Sequence, residues 1–382
     1  MRIQADWAKR GPAQTVCALL TDAGYKAWFV GGCVRNALIG AKVSDLDICT
    51  DALPETVMAL ANTAGLRAIP TGLAHGTVTI LANSVSLEVT TLRRDVATDG
   101  RHATVAFTDQ ITEDARRRDF TMNALYATPD GTVIDPLGGL PDLMARRIRF
   151  VGDADARITE DYLRILRFFR FHAWYGDPAE GIDADGLAAC AAHLDGLEHL
   201  SRERVGAEMR KLLAAPDPAP AMAAMRSSGA LLRILPGAGT GLLTVLIHVE
   251  QIAGLEPDPL RRLAALGGQD VAQALRLSNT DAGKLARLRD AMENTLSAKA
   301  LGYHFGAGDA LDILALRAAS FEQELDPVQA EMARNGAAQI CPVKAVDLMP
   351  ALQGPALGQA LKAVESRWIA SDFTLSKTAL LG

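Results

Sequence analysis

Two aspartates two positions apart, Asp45 and Asp47, follow ten residues after Arg35 in a stretch that opens Trp28-Phe29-Val30-Gly31-Gly32-Cys33-Val34-Arg35. Alternate residues of a strand point to the same face, so a strand over Asp45–Thr50 would aim both carboxylates at one spot while Leu46 and Ile48 go to the core. Two carboxylates on one face repel each other unless a cation lies between them. Hard oxygen donors suit Mg²⁺, which takes one or two protein carboxylates and leaves its other positions to water and substrate phosphates. The paired glycines Gly31 and Gly32, between an apolar run and a short helix over Val34–Leu38, let backbone N–H groups approach a phosphate closely. Arg35 in the first helical turn does nothing for the helix dipole and points to an anionic ligand.

Two further charged segments stand out. In Glu113-Asp114-Ala115-Arg116-Arg117-Arg118-Asp119-Phe120-Thr121-Met122-Asn123, acidic residues come early and apolar ones late, which predicts a helix starting near Thr112. Three consecutive arginines cannot share one helical face, so most of them need partners, and Glu113, Asp114 and Asp119 are at hand. In Glu160-Asp161-Tyr162-Leu163-Arg164 to Phe171, Thr159 is a candidate cap, and Asp161, Arg164, Arg167 and Arg170 recur every three residues. On a helix that stripe drifts by about 60° per step. It is either an intrahelical salt-bridge ladder or a recognition surface. An ionised Asp only accepts hydrogen bonds and an Arg only donates them. One such pair can therefore accept cytosine and adenine, each an amino group beside a bare ring nitrogen, and reject uracil and guanine.

The elements that must position these groups read as an α+β chain. A helix over 12–23 ended by Gly24, a strand over 28–30, a helix over 54–64 with Asp51 as cap, and a hairpin of 76–81 with 85–91 precede the arginine segment. Glu88 lies on the second strand of that hairpin. The charged segment 93–102 reads as a loop between strands that either reaches substrate or is merely solvated. Beyond Phe171 the chain is Ala/Leu-rich and helical, over 185–199, 201–215 and 220–235. The predicted domains are 1–150, 151–236 and 237–382. With 382 residues, 49% hydrophobic and 22% charged, the composition is that of a soluble globular protein. Five scattered cysteines and no C-x-x-C pair point to a reducing cytoplasm without structural zinc. Neither a secretory h-region nor a membrane span is expected. A net charge of −6 leaves room for a local basic groove.

The set Gly-Gly-x-Val-Arg followed by Asp45-x-Asp47, Arg117-Arg118-Asp119-Phe120-Thr121-x-Asn123 and Glu160-Asp161-x-x-Arg164 resembles the class II tRNA nucleotidyltransferases. That family of CCA-adding enzymes and bacterial poly(A) polymerases lies within the DNA polymerase β superfamily, and the resemblance covers residues 25–175. It implies a polymerase-β-like nucleotidyltransferase head, a small mixed sheet with helices, followed by an elongated all-α neck, body and tail. It implies Mg²⁺ on Asp45 and Asp47, with Glu88 either a third catalytic carboxylate or a paired structural acid. Arg118 is expected to contact the nucleotide, Asp119 and Asn123 to lie near its sugar and phosphates, and Gly31, Gly32 and Arg35 to cradle the phosphates. Asp161 and Arg164 would read the base, Arg167 and Arg170 would meet the triphosphate, and Glu160 would orient them. Two positions depart from the family pattern: Asn36 stands where Asp usually follows the arginine, and Tyr162 where proline is common. Arg202, Arg204, Arg210 and Lys211 form either an RNA-facing neck surface or a solvated helix face, and Arg276, Lys284, Arg287 and Arg289 a second basic cluster that could meet a tRNA arm. The implied activity is addition of CCA to the 3′ acceptor end of tRNA from CTP and ATP, by a monomer or a homodimer. A poly(A) polymerase, an A-only or CC-only enzyme, and a silent RNA-binding relative are the rival expectations.

Overall fold

The computed structural model describes residues 1–99, 102–349 and 351–382, with backbone alone at 96–99 and 102–104. The chain divides into two compact units, Met1–Pro236 and Gly237–Gly382. The first is α+β and the second is helical.

The sheet of the first unit has seven strands: β1 Ala27–Val30, β2 Asp47–Thr50, β3 Arg67–Gly72, β4 Thr77–Ala82, β5 Val85–Thr91, β8 Tyr126–Ala127 and β9 Val133–Ile134. Their order is β3-β4-β5-β2-β1-β8-β9. All neighbours are antiparallel except β2 and β5, which run parallel with Asp47 opposite Glu88. Strand β1 is buried at every position, as its unbroken apolar sequence requires. The β4–β5 hairpin turns at Asn83 and Ser84, both at positive φ (48° and 65°), the geometry whose twist matches a two-residue hairpin.

Helix α1 (Pro12–Asp22) and helix α3 (Pro54–Thr63) pack against this sheet, and α2 (Gly32–Leu38) follows β1 directly. Leu53, not Asp51, precedes α3, and the Asp51 carboxylate instead accepts the Lys26 N–H at 2.7 Å. The segment read as a loop over 93–102 is instead a hairpin, β6 (Arg93–Asp99) with β7 (His102–Phe107). Its charged residues mask an alternation in which Val96, Thr98, Thr104 and Val105 supply β propensity. Gly100 and Arg101 lie outside the described residues.

Helices α4 (Ile111–Arg116), α5 (Leu140–Met144), α6 (Ala154–Glu160) and α7 (Leu163–Tyr175) lead out of the sheet. Phe120, Phe150, Phe168 and Phe171 stack where the sheet unit meets α7, with ring centroids 5.0–6.3 Å apart. Beyond them lie α8 (Ala184–Ala192), α9 (Arg202–Leu213), α10 (Ala219–Ser227) and α11 (Ala230–Ile234). Ser201 caps α9 by accepting the Arg204 N–H.

The second unit runs through α12 (Gly241–Ala253), α13 (Pro259–Leu266), α14 (Val271–Ala274), α15 (Asn279–Glu293), α16 (Ala298–Ser320), α17 (Pro327–Ala337), α18 (Ala345–Leu348), α19 (Gly354–Ala370) and α20 (Lys377–Leu381). Helices α16 and α17 cross where each presents a glycine to the other's backbone. A Cβ on Gly302 would lie 1.9 Å from the Ala333 carbonyl oxygen, and one on Gly336 would lie 1.9 Å from that of Lys299. Backbone cannot step aside as a side chain can, so Gly302→Ala or Gly336→Ala is expected to cost roughly 2–3 kcal/mol, read as a lowered unfolding midpoint of the full-length protein. Among the described residues no helix is long and apolar enough to cross a membrane.

Candidate active site

Strand β2 starts at Asp47, so Asp45 lies in the preceding loop and not, as expected, on the strand itself. The reason is pairing: the β1 register ends at Phe29 opposite Ile48, because the chain turns at Gly31 into α2 and leaves residues 45–46 without an antiparallel neighbour. Asp45 is exposed and accepts the Ser44 hydroxyl at 2.8 Å. The Asp47 carboxyl is raised above its ordinary range by burial first, then by the charges of Glu88 and Asp45, against the opposing pull of Arg118. Three acids thus act on one another around the end of β2. Among the described residues no three His, Cys, Asp or Glu side chains converge to enclose a metal by themselves. The donor set is therefore an open one, acid oxygens on one side, which fits a hard divalent ion that completes its shell with water and phosphate oxygens.

Gly31 has φ 69° and ψ −118°, and a Cβ there would stand 3.3 Å from Nη1 of Arg118. The glycine is thus required both by the turn and by the close approach of that guanidinium. Helix α4 is short, and Arg117 and Arg118 both turn back onto buried Asp114, with Nη2 of Arg117 2.7 Å from Oδ1 and Nη2 of Arg118 3.0 Å from Oδ2. The Tyr126 hydroxyl donates to the same Oδ2 at 2.7 Å. Burial alone would raise Asp114, but the two guanidiniums and the Tyr126 hydroxyl outweigh it and hold the carboxyl at about 2.

A second polar chain starts at Arg35. Its Nη1 donates to Oδ1 of Asn123, its Nε and Nη2 donate to Oδ1 of Asn36 at 3.0 and 2.9 Å, and Nη2 also reaches the Tyr175 hydroxyl at 2.8 Å. Asn123 in turn donates to Asp119 at 2.9 Å, and Asp119 receives Nε and Nη2 of Arg167. Asn36 therefore holds Arg35 through its carbonyl oxygen, while its amide group donates to the Lys42 carbonyl at 2.7 Å. Arg35, anticipated as a side chain reaching for an anion, is buried with its N–H groups engaged by protein. The Asp119 carboxyl, pushed up by burial and pulled down more strongly by Arg167, Asn123 and the Phe120 N–H, also sits at about 2.

Helix α6 ends at Glu160, and Asp161 adopts an extended conformation (φ −155°, ψ 103°) that breaks the chain between α6 and α7. Asp153 caps α6; Thr159 lies inside its last turn, its hydroxyl donating back to the Asp155 and Ala156 carbonyls, so it is not the cap expected for α7. The cap position of α7 is Tyr162, and Asp161, one residue before it, accepts the Leu163 N–H on Oδ1 at 3.1 Å. Arg164 does not pair with Asp161. It pairs with Glu160 at 2.5 Å and donates to the carbonyls of Arg157 (2.6 Å) and Arg117 (3.2 Å). Asp161 pairs instead with Arg204 of α9, 2.7 Å from Oδ2 to Nη2. Arg170 pairs with buried Glu208 at 2.5 Å.

The structure therefore gathers Asp47, Arg118, Asp119, Asn123, Glu160, Arg164 and Arg167 about one segment, Arg117–Asn123. Of the neck cations, Arg204 is drawn into the site, while Arg202 and Lys211 are exposed on α9. Sequence reasoning missed Tyr126, Tyr175 and Glu208, whose partners Asp114, Arg35 and Arg170 stand 12, 140 and 38 positions away along the chain. In the second unit Lys284 is 2.8 Å from Asp312 and 3.0 Å from Asp258, and Arg287 is 2.8 Å from Asp309. Arg289 donates to the Gly267 and Gly268 carbonyls at the end of α13. Lys284 and Arg287 are thus paired with acids of their own unit.

The depressed carboxyls make a stability prediction. A folded pKa of about 2 lies below the unfolded value of about 3.9, so the contribution is complete above pH ~4 and lost as the pH falls through about 2. Each shift corresponds to roughly 2 kcal/mol. Wild-type stability is expected to fall steeply over that window, and Asp114→Asn to show a flatter decline in denaturant titrations at pH 4, 3 and 2.

Residues 27–149 match the family described as "Poly A polymerase head domain", and residues 181–240 the one described as "Probable RNA and SrmB- binding site of polymerase A". The chain is 41% identical over 201 residues to the mitochondrial CCA tRNA nucleotidyltransferase 1 of Homo sapiens, covering 52% of this chain and 46% of that protein. It is 43% identical over 220 residues to the CCA-adding enzyme of Geobacillus thermodenitrificans, covering 57% and 52%. The matched stretch spans about half the length of these curated relatives. The crystal structure of the Bacillus stearothermophilus CCA-adding enzyme in complex with CTP superposes with a TM-score of 0.77 at 30% identity, over 94% of this chain and 93% of that one. Nucleotidyltransferases of this kind need a divalent metal. With the acid group, the Arg118 turn and the Glu160–Arg164 break all present in a chain of which 94% superposes on that CCA-adding enzyme at 30% identity, this protein belongs to the CCA-adding enzyme and poly(A) polymerase family of nucleotidyltransferases.

Proposed function

We propose that this chain adds C, C and A to the 3′ end of tRNA without a template, using CTP and ATP and releasing pyrophosphate, as a cytoplasmic enzyme. The observation that carries the reading is convergence. Asp47 feels the charge of Arg118, and Arg164 donates to the carbonyl of Arg117, so the acid group and the base-reading segment meet on adjacent residues.

In the reaction the 3′-hydroxyl of the RNA attacks the α-phosphate in line, and pyrophosphate departs. Asp45 and Asp47, with Glu88 beside them, would hold Mg²⁺. When bound, the ion supplies activation of the hydroxyl and offsets charge on the leaving group. Arg118, held by Asp114 and Tyr126, keeps a fixed positive charge beside Gly31. Asp119 and Asn123 bound the sugar side of the site, and Arg167 and Arg170 add cationic charge along α7. Asp161 and Arg164 offer an acceptor and a donor to the base edge, Glu160 orienting the latter. Most of the acceleration then comes from positioning and electrostatics. In this reading residues 1–150 are the catalytic head, 151–236 the neck that reads the base, and 237–382 the body that holds tRNA.

The test is incorporation into tRNA trimmed at its 3′ end, with each nucleotide alone and with CTP plus ATP. Addition of two C residues followed by one A is expected. Long A tracts with ATP alone identify a poly(A) polymerase, and no incorporation with any nucleotide overturns the enzyme reading.

A further inference from the structure

One carboxylate holds two guanidiniums at the break between α6 and α7: Glu160 takes Nη2 of Arg157 on Oε1 and, at 2.5 Å, Nη1 of Arg164 on Oε2. Each arginine also closes the C-terminal end of a helix. Arg157 donates through Nη1 to the carbonyl of Arg116, the last residue of α4, at 2.9 Å. Arg164 donates through Nη1 to the Arg157 carbonyl in the last turn of α6, and through Nη2 to the Arg117 carbonyl just past α4. Carbonyls at a helix C-terminus lack an intrahelical donor and attract cations, so both anchors are favourable. The three side chains are only 13–21% exposed, so these contacts are screened less than surface pairs.

The N–H donors of Arg164 are not all engaged. Both on Nη1 and one on Nη2 go to Glu160 and the two carbonyls, which leaves the Nε–H and the second Nη2 N–H without a protein partner among the described residues. Arg157 decides where those point. With one Glu160 oxygen committed to Arg157, the carboxylate can give Arg164 only the other. Released from Arg157, both oxygens would turn to Arg164 as a bidentate pair and swing its plane off the Arg117 carbonyl.

We propose that Arg157 is a positioning residue: by sharing Glu160 and gripping the end of α4, it keeps the free donors of Arg164 aimed at the ring nitrogen of the incoming base. The inference deepens the proposed function and rests on Asp161 and Arg164 as the base-selecting pair. Asp161 is held separately, by Arg204, so the two halves of base choice should come apart.

The experiment measures kcat/KM on trimmed tRNA for CTP, UTP, 3-deaza-CTP, which lacks the ring-nitrogen acceptor, and the pyrimidin-2-one ribonucleoside triphosphate, which lacks the amino group. Wild type, Arg157→Lys and Arg157→Met are compared, with melting curves and tRNA affinities alongside. In wild type each missing group is expected to lower kcat/KM at least roughly tenfold, because the protein group opposite is left unpaired. In Arg157→Met the loss from removing the ring nitrogen should shrink to within about threefold, since that contact is already gone, while the loss from removing the amino group stays within about twofold of wild type. Discrimination of CTP over UTP falls roughly tenfold, with tRNA affinity within about twofold. Arg157→Lys, whose ammonium lacks the planar fork that spans Glu160 and the Arg116 carbonyl, is expected to lie between the two, and carries the same test if Arg157→Met folds poorly. Wild-type penalties for both analogues in the two variants overturn the proposal and leave Arg157 a helix-end contact. Penalties that shrink together overturn it equally, since the whole break is then loosened. Wild-type protein that incorporates CTP with no penalty for 3-deaza-CTP, or incorporates nothing, overturns the reading beneath the proposal, and is told apart because the failure is seen before any substitution.

Discussion

Asp47→Asn is expected to lower nucleotide incorporation at least about a thousandfold while leaving tRNA binding within about twofold and the melting temperature unchanged or higher. The activity loss follows because a neutral amide cannot hold a divalent ion as a carboxylate does, and an active-site cation contributes several kcal/mol of charge stabilisation in the transition state. The stability result has a separate cause. Asp47 sits opposite Glu88 in the sheet, with Asp45 close enough to raise its pKa, so the folded protein carries mutual repulsion that the substitution relieves. Sites arranged for function commonly bear such a cost. Asp45→Asn should match the activity loss, whereas Glu88→Gln, which leaves both members of the aspartate pair in place, is expected to cost roughly 10–100-fold. Single-turnover incorporation, tRNA gel shifts and melting curves check the three parts. A melting temperature lowered by several degrees in Asp47→Asn would show a structural acid.

The amino-acid sequence made the sheet-and-helix order legible wherever periodicity and turn chemistry agreed, as at the Asn83–Ser84 hairpin and the helix read over 201–215. It misled where charge obscured pattern. The β6–β7 hairpin looked like a loop because Arg93, Arg94, Asp95 and Asp99 interrupt its β-branched residues. The run from Glu160 to Phe171 looked like one helix because nothing local marks the extended backbone at Asp161, which is stabilised by Arg204, 43 positions away. The same long-range pairing hid the true partners within the site. Spacing on a presumed helix joined Asp161 to Arg164, but a break between them sends one to α9 and the other back to Glu160. Which residue types gather at a site is written locally; which of them pair is decided by tertiary packing, as Tyr175 reaching back to Arg35 also illustrates.

That rearranged pairing separates two views of Arg204. As a phosphate contact on the neck, it would add affinity for RNA uniformly, and its removal would weaken tRNA binding and its salt dependence without touching nucleotide choice. As the partner of Asp161, it would fix the carboxylate that in the proposed reading accepts the amino group of cytosine or adenine. Asp161 also accepts the first N–H of α7, that of Leu163, so one oxygen serves the fold and the other is oriented by Arg204. Arg204→Leu is therefore expected to reduce discrimination of CTP over UTP by roughly tenfold or more, with tRNA affinity within about twofold. Asp161→Ala is expected to lose about a hundredfold, since a site built to accept a hydrogen bond discriminates by leaving the wrong base unpaired. The two effects should not add in Asp161→Ala/Arg204→Leu, because the arginine acts only through the acid. Competitive incorporation of CTP against UTP, measured beside tRNA affinity across the four proteins, decides it. A weakened tRNA affinity with discrimination intact would return Arg204 to the phosphate-binding surface and leave Arg164, anchored on Glu160 and on the Arg117 carbonyl, to select the base.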